Sequence, residues 1–358
     1  MKSRLFQICM LCLGIALWVL PPVTAFQQKK DVPPPPLPSP TGTGQKSPEP
    51  AGQQEDEDAV IKIGTELVNV PFSVTNKQNR YINDLTQEQI QVSEDGKDQE
   101  IFSFSKESDL PLTFALMIDV SGSQELSLPA EKEAALKFFD KVMRPDKDIA
   151  AVVTFRRDVE LVQTLTGNKR ALLGALNSIR FHPGSYVGGS TPPVNTDPSY
   201  NGTSIYDAVF VTSDELLSRE AGRRIVVLLT DGQDTTSQYS RDKAVLCALR
   251  SEVMVYVIGI PGKGYYGSGR VFSEPVNKGA MRDLAEQTGG RAFFPEKESD
   301  FYSAFQQIEE DIRQQFIVSY SPSNSNRDGS FREIKISIKG RPDSKDLKVL
   351  SRKGYYAK

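Results

Sequence analysis

The stretch T-F-A-L-M-I-D-V-S-G-S, Thr113 to Ser123, decides the fold. It is a short apolar run that ends in Asp119, Ser121 and Ser123. A run of this length bounded by turn residues predicts a buried strand of a parallel sheet. The polar triplet then falls at the strand's carboxyl end, where open α/β sheets place their ligand sites. Three oxygen side chains at alternating positions on one tight turn can point into one small volume. Such a set suits a hard divalent cation. Taken alone, the same residues would also serve to cap the following helix.

Working outward, strand and helix alternate from Leu110 to about Gln314. Strands are predicted over 114–118, 149–155, 159–165, 224–229, 253–260 and 291–294. Helices are predicted over 130–142, 169–179, 205–217, 241–250, 278–287 and 299–312. In the first helix Ala134, Ala135, Phe138, Phe139 and Val142 share one face. The alternation, with β-branched strands lacking polar residues, predicts a doubly wound, mostly parallel α/β sheet with helices on both sides. The strand at 224–229 ends in Thr230-Asp231-Gly232, so a parallel sheet sets Asp231 on the same edge as Asp119. A third loop, Asn201-Gly202-Thr203-Ser204, precedes a helix, where Thr203 can cap it or offer a lone pair to a cation.

Together the three loops, D-x-S-x-S, G-T and T-D-G, resemble the von Willebrand factor type A family over about residues 110–312. The segments N-G-T-S-I-Y-D-A-V and V-V-L-L-T-D-G-Q-D read as typical of it. The resemblance implies that Asp119, Ser121, Ser123, Thr203 and Asp231 form a metal-ion-dependent adhesion site, some binding directly and some through water. Mg²⁺ is the expected ion, with Ca²⁺ and Mn²⁺ as alternatives. Few charged ligands leave such an ion underneutralised, so a carboxylate from a partner protein can complete its sphere. One departure is the insert His182–Tyr200, rich in Gly, Ser and Pro, which would lie beside the metal. The flanking segments look like those of a bacterial group related to this family that carries β extensions.

Other chemistries fit less well. No G-x-G-x-x-G follows the first strand and no P-loop is present. An Asp-nucleophile phosphatase usually carries a second Asp two positions on, where this chain has Ser121. A hydrolytic metal site would need a general base. Asp234 and Asp207 are the nearest candidates, read respectively as part of a solvated turn and as a local hydrogen-bonding group on its helix. His182, the one histidine, precedes Pro183-Gly184 and reads as a surface residue. The loop Gly262 to Gly267, with Tyr265 and Tyr266, reads as an exposed flexible loop that can contact a partner.

The ends of the chain set its surroundings. Lys2 and Arg4, the apolar run Leu5–Leu20, and Val23-Thr24-Ala25 predict a cleaved secretory signal over 1–25. An uncleaved anchor is the alternative, but the run is short for a membrane span. Residues 26–58, with Pro33 to Pro36, predict a disordered linker. Cys9 and Cys12 leave with the signal, so Cys247 is expected to be a buried, inert thiol. Residues 59–109 and 313–358 alternate with period two and hold about seven strands, enough for a sandwich. They are expected to pack on each other, with the α/β domain of 110–312 inserted between them. Pro71 predicts an edge position for the first strand. Glu94 to Lys97 predicts a hairpin whose second strand runs over 99–105.

A net charge of -3 over 358 residues shows no basic excess and argues against nucleic acid. The expected function is therefore an exported, secreted or periplasmic, non-enzymatic binding protein with no stable membrane span after signal cleavage. A metal-dependent hydrolase and a structural module with a stabilising metal are the competing readings.

Overall fold

The computed structural model describes residues 67–78, 80–106, 110–144, 146–180, 202–265 and 271–357. The predicted signal and linker, His182 and the 182–200 insert lie outside the described residues.

Four strands open the chain: β1 (Val68–Thr75), β2 (Ile90–Glu94), β3 (Lys97–Gln99) and β4 (Ile101–Lys106). The turn between β2 and β3 holds Asp95 and Gly96 at φ 48° and 78°. Two consecutive positive φ values match the right-handed twist of a two-residue hairpin. The single return strand expected over 99–105 is in fact two strands. β3 pairs with β2, whereas β4 crosses to the other sheet.

The central domain follows. It comprises β5 (Leu112–Asp119), α1 (Leu128–Val142), β6 (Ile149–Phe155), β7 (Val159–Thr166), α2 (Lys169–Ser178), α3 (Ile205–Val211), β8 (Arg223–Thr230) and α4 (Arg241–Arg250). Then come β9 (Val253–Gly259), a hairpin of β10 (Gly262–Tyr265) and β11 (Val271–Glu274), α5 (Lys278–Thr288), β12 (Ala292–Phe293) and α6 (Phe301–Arg313). Helix α1 starts two residues earlier than its apolar pattern, because Pro129 is accommodated in the first turn. The helix predicted over 205–217 is α-helical only through Val211 and widens to a π-helix over Thr212–Leu217.

The main sheet has the order β12-β9-β8-β5-β6-β7. Its pairings are parallel except that β7 runs antiparallel to β6. Every residue of β5 is buried, and its two faces feed two cores. Leu112, Phe114, Leu116 and Ile118 pack with residues of α1, α2 and α6. Ala115 and Met117 pack with residues of α3, α4 and α5. A strand covered on both faces has no polar alternation to show, which is why Thr113–Ile118 reads as continuous apolar sequence. Cys247 is buried, and burial pushes its thiol up to about 11.

The chain closes with β13 (Phe316–Tyr320), β14 (Phe331–Ile338), β15 (Lys348–Ser351) and β16 (Gly354–Tyr356). Strands from the two ends interleave in two four-stranded sheets, β15-β1-β13-β4 and β16-β14-β2-β3. Val70, Phe72, Ile90 and Val92 from one end share a core with Val318, Tyr320, Ile334 and Ile336 from the other. The α/β domain is thus inserted in a β module built by both ends. Pro71 corrects one expectation: β1 lies inside its sheet, between β13 and β15. The physical reason is register. Strand β15 pairs only with Phe72–Thr75, so the side of β1 away from β13 is unpaired at Pro71. No ladder donor is missed there.

The two parts touch where Tyr356 of β16 packs on the α/β core under Arg250, and again at the end of α6. Ser73 Oγ of β1 donates to Asp311 Oδ1 of α6 at 2.7 Å, and Asp311 is fully buried. Beside it Gln315 Nε2 donates to the Tyr256 hydroxyl of β9. Burial raises the Asp311 carboxyl above the usual range. Ser73→Ala is expected to lower the unfolding free energy by about 1–3 kcal/mol, the cost of stranding a buried acceptor. Ser103→Ala, at an exposed position of β4, should stay within about 0.5 kcal/mol of wild type in the same urea titration.

Candidate metal centre

The switch point of the main sheet places the site. From β5 the chain winds outward to β6 on one side and, later, returns to β8 on the other. The crevice outside the carboxyl ends of β5 and β8 is where such sheets bind ligands. Ile118 pairs with Leu229, so the following residues, Asp119 and Thr230, meet at the sheet's end. Thr230 Oγ1 donates to Asp119 Oδ2 at 2.6 Å. Asp231 is the next residue.

Beyond β5 the chain turns back over this crevice. The Ser121 backbone N–H donates to Asp119 Oδ1 at 2.9 Å, which sets the direction of the turn. A short 3₁₀ segment, Gly122–Gln124, then brings Ser123 and Gln124 over β8. Ser121 Oγ and Ser123 Oγ lie 3.2 Å apart. Ser123 Oγ donates to Asp231 Oδ2 at 2.6 Å, and Gln124 Nε2 reaches the same oxygen at 3.2 Å. Four of the five sequence-derived ligands thus form one hydrogen-bonded set. Asp119, Ser121 and Asp231 are buried in it.

Thr203 reaches the same rim through its backbone. Its carbonyl accepts from Thr235 N and Thr236 N, in the loop that follows Asp231. Its own N–H donates to Thr235 Oγ1 at 2.9 Å. On its other side, Ser204 N donates to the carbonyl of Arg156, just beyond β6. Thr203 is therefore pinned between the loops that follow β6 and β8, the two neighbours of β5. Its hydroxyl makes no hydrogen bond to Asp119 or Asp231 among the described residues.

The two candidate bases are engaged elsewhere. Asp234 Oδ1 accepts from Ile205 N at 2.8 Å and from Ser237 Oγ, so it caps α3 and does not belong to a solvated turn as its sequence context suggests. Asp207 accepts from Gln238 N and Tyr239 N at 2.9 and 2.8 Å. A second correction concerns the loop after β9. It forms the β10–β11 hairpin, and Leu126 N donates to the carbonyl of Lys263. A Cβ on Gly262 would lie 2.8 Å from Asp231 Oδ2 and 2.9 Å from the Ser123 Cβ. Only a glycine lets the hairpin press this closely on the rim.

Electrostatics fit a divalent cation. Burial, and then the like charge of Asp231, push the Asp119 carboxyl up to about 7. Glu131, in the first turn of α1, is fully buried behind the pair. Burial, then Asp119, then Asp231 raise its carboxyl well above the usual range. Carboxylates held together in this way call for positive charge. No group of three or more His, Cys, Asp or Glu residues suited to a metal occurs among the described residues. The donor set is instead two carboxylates with hydroxyls, oxygen ligands that suit a hard cation. Asp119, Ser121, Ser123 and Asp231 would hold it, with Thr203 at the margin.

Sequence reasoning assigns no role at the site to Glu131, Gln124, Thr230 or Gly262. Glu131 had a signal: it stands three, four and seven positions before Ala134, Ala135 and Phe138, on the apolar face of α1.

A profile of the von Willebrand factor type A (VWA) domain matches residues 114–310, more than half of the chain. The chain belongs to the VWA domain family. An uncharacterized protein of Borreliella burgdorferi is 26% identical over 254 residues, covering 66% of this chain and 64% of that protein. This chain therefore matches less than two thirds of that curated relative's length. Among solved structures, an aerotolerance-related membrane protein from Bacteroides fragilis is 18% identical with a TM-score of 0.44, covering 57% of this chain and 99% of that one. Proximal thread matrix protein 1 of the mussel byssus, described with a zinc-occupied MIDAS motif, is also 18% identical at a TM-score of 0.44. That match covers 61% of this chain and 49% of that one. Among the described residues of this VWA protein, no helix is long and apolar enough to cross a membrane.

Proposed function

We propose that this VWA protein is an exported, non-enzymatic binding protein that works in secreted or periplasmic space. Its Asp119, Ser121, Ser123, Thr203 and Asp231 rim holds a divalent cation, Mg²⁺ first among the candidates. The cation bridges to an acidic side chain of a partner protein, in adhesion or in assembly of an extracytoplasmic complex. The observation that carries this reading is the hydrogen-bonded set joining Asp119, Ser121, Ser123 and Asp231 at the switch point. What supports binding over hydrolysis is the fate of Asp234 Oδ1 and of both Asp207 oxygens, which accept from backbone N–H groups. An oxygen held in that way is a poor general base for a metal-bound water.

The test is a pull-down from the native envelope or medium, with Mg²⁺ or EDTA, using wild type and Asp119→Ala. Capture is expected with wild type in Mg²⁺ and in neither other condition. A variant that no longer binds the ion yet captures the same partner would refute the bridge. Turnover of generic phosphoester or peptide substrates, abolished by the same substitution, would establish the hydrolase instead.

A further inference from the structure

Behind the rim lie three acceptor atoms with nothing to accept. Both carboxylate oxygens of Glu131 are buried without a hydrogen-bond partner, and so is Gln124 Oε1. The two side chains are 0% and 1% exposed. Their remaining polar groups are accounted for. The Glu131 backbone N–H donates to the Ser127 carbonyl, and Gln124 Nε2 donates to Asp231 Oδ2. The charges that act on Glu131 are Asp119 and Asp231, both of its own sign. Three buried acceptors on two side chains that share Asp231 as a neighbour are a costly arrangement in a protein interior. The position does not require it sterically: Ala134, Ala135 and Phe138 on the same helical face are apolar.

What the arrangement lacks is donors and positive charge. A divalent cation that keeps some of its water, as Mg²⁺ does, brings both. We infer that Glu131 and Gln124 are the outer acceptors of the VWA metal centre, taking hydrogen bonds from cation-bound water while Asp119 and Asp231 hold the ion. This rests on the metal reading above and extends it by two residues outside the five-residue pattern. Both are positioning residues, since neither is assigned a bond to the metal. Partners of this outer kind are commonly worth 10–100-fold in metal affinity. Glu131 also brings a third negative charge to the centre, so the ion is held more tightly than the five-residue pattern alone would hold it.

The experiment uses the folded protein and Mn²⁺ alone as probe, by calorimetric titration and thermal melting of wild type, Glu131→Gln and Asp119→Ala. Glu131→Gln is expected to weaken Mn²⁺ binding about 10–100-fold. It should also melt at or above wild type in EDTA and below it in saturating Mn²⁺. This crossing separates an outer acceptor from a packing residue, which would shift both melts in one direction. Mn²⁺ affinity within about threefold of wild type, with Asp119→Ala inactive in binding, overturns the inference and leaves the metal reading standing. Failure of the wild type to bind Mn²⁺, or wild-type binding by Asp119→Ala, overturns the metal reading and the inference with it. Should Glu131→Gln not fold, Gln124→Met removes the third acceptor together with the Nε2 donor to Asp231. Unchanged Mn²⁺ affinity in it overturns the inference, while a loss of affinity with the same crossing of the melts supports it.

Discussion

Gly290→Ala is expected to leave little folded protein at 37 °C. A Cβ at this position would lie 2.0 Å from the Val255 carbonyl oxygen and 2.6 Å from its carbon. Both atoms belong to β9, whose residues are all buried. Strand β9 is hydrogen-bonded to β8 on one side and β12 on the other, so it has nowhere to move. The loop is equally constrained, because Gly290 N donates to Ala285 O and Arg291 O accepts from Val257 N. Relief requires shifting backbone on one side, at a cost of about 3 kcal/mol or more, the upper part of the overpacking range. Gly174→Ala is the matched control. Gly174 sits at an exposed position of α2 with nothing within 4 Å of its would-be Cβ. The same added methyl there should stabilise by up to about 1 kcal/mol through helix propensity. Urea denaturation of both variants checks the pair, and equal effects of one sign would sink the packing argument.

The second large effect is in pH. Asp119 has a native carboxyl at about 7, while its unfolded value is near that of an ordinary Asp, roughly 4. Between these values the native state keeps a proton that the unfolded chain has released. Stability of the cation-free protein must therefore fall as pH rises through this window and level off above it. Three units correspond to about 4 kcal/mol at most, since each is worth about 1.4. Glu131 and Asp311 are raised too and act in the same direction. Asp148 is lowered, so its contribution is lost only under more acid conditions, below this window. A saturating divalent cation needs the ionised carboxylates, so its stabilisation grows over the range in which the cation-free protein weakens. Unfolding midpoints at pH 5 and 8, in EDTA and in Mg²⁺, should diverge with opposite slopes. Asp119→Asn should reduce the EDTA slope and leave the part that Glu131 and Asp311 contribute. A cation-free protein that gains stability from pH 5 to 8 would show that Asp119 is not held in this state.

Which parts of this were legible beforehand follows from period and burial. Strands β5 and β8 announce themselves because strands covered on both faces are unbroken apolar runs, and parallel strands end at a common edge. Asp119 and Asp231 could thus be brought together on topology alone. Thr203 is harder, since it depends on where a loop after a long insert returns, and the structure fixes its backbone through Thr235, Thr236 and Arg156. The β10–β11 hairpin reads as an exposed flexible loop because its strands are only four residues long, too short to show alternation, and two of the four residues of β10 are glycine. Pro71 misled in the opposite way. Proline excludes a ladder bond at one residue, whereas β1 has a neighbour on that side only from Phe72 onward. Glu131 does not stand out in the sequence, because Lys132 and Glu133 beside it are charged as well. The apolar residues three and four places further on carried the contrary signal.

Insertion has a mechanical corollary. The described chain comes in along β1 and goes out along β16, and these strands belong to the two different sheets of the β module. Tension applied across them passes through the sandwich, from one sheet to the other. The α/β domain is a closed excursion of the chain, yet β16 itself rests on it, with Arg250 of α4 over the Tyr356 ring. A pull on the ends therefore bears on α4 through Tyr356 and on α6 where Ser73 donates to Asp311.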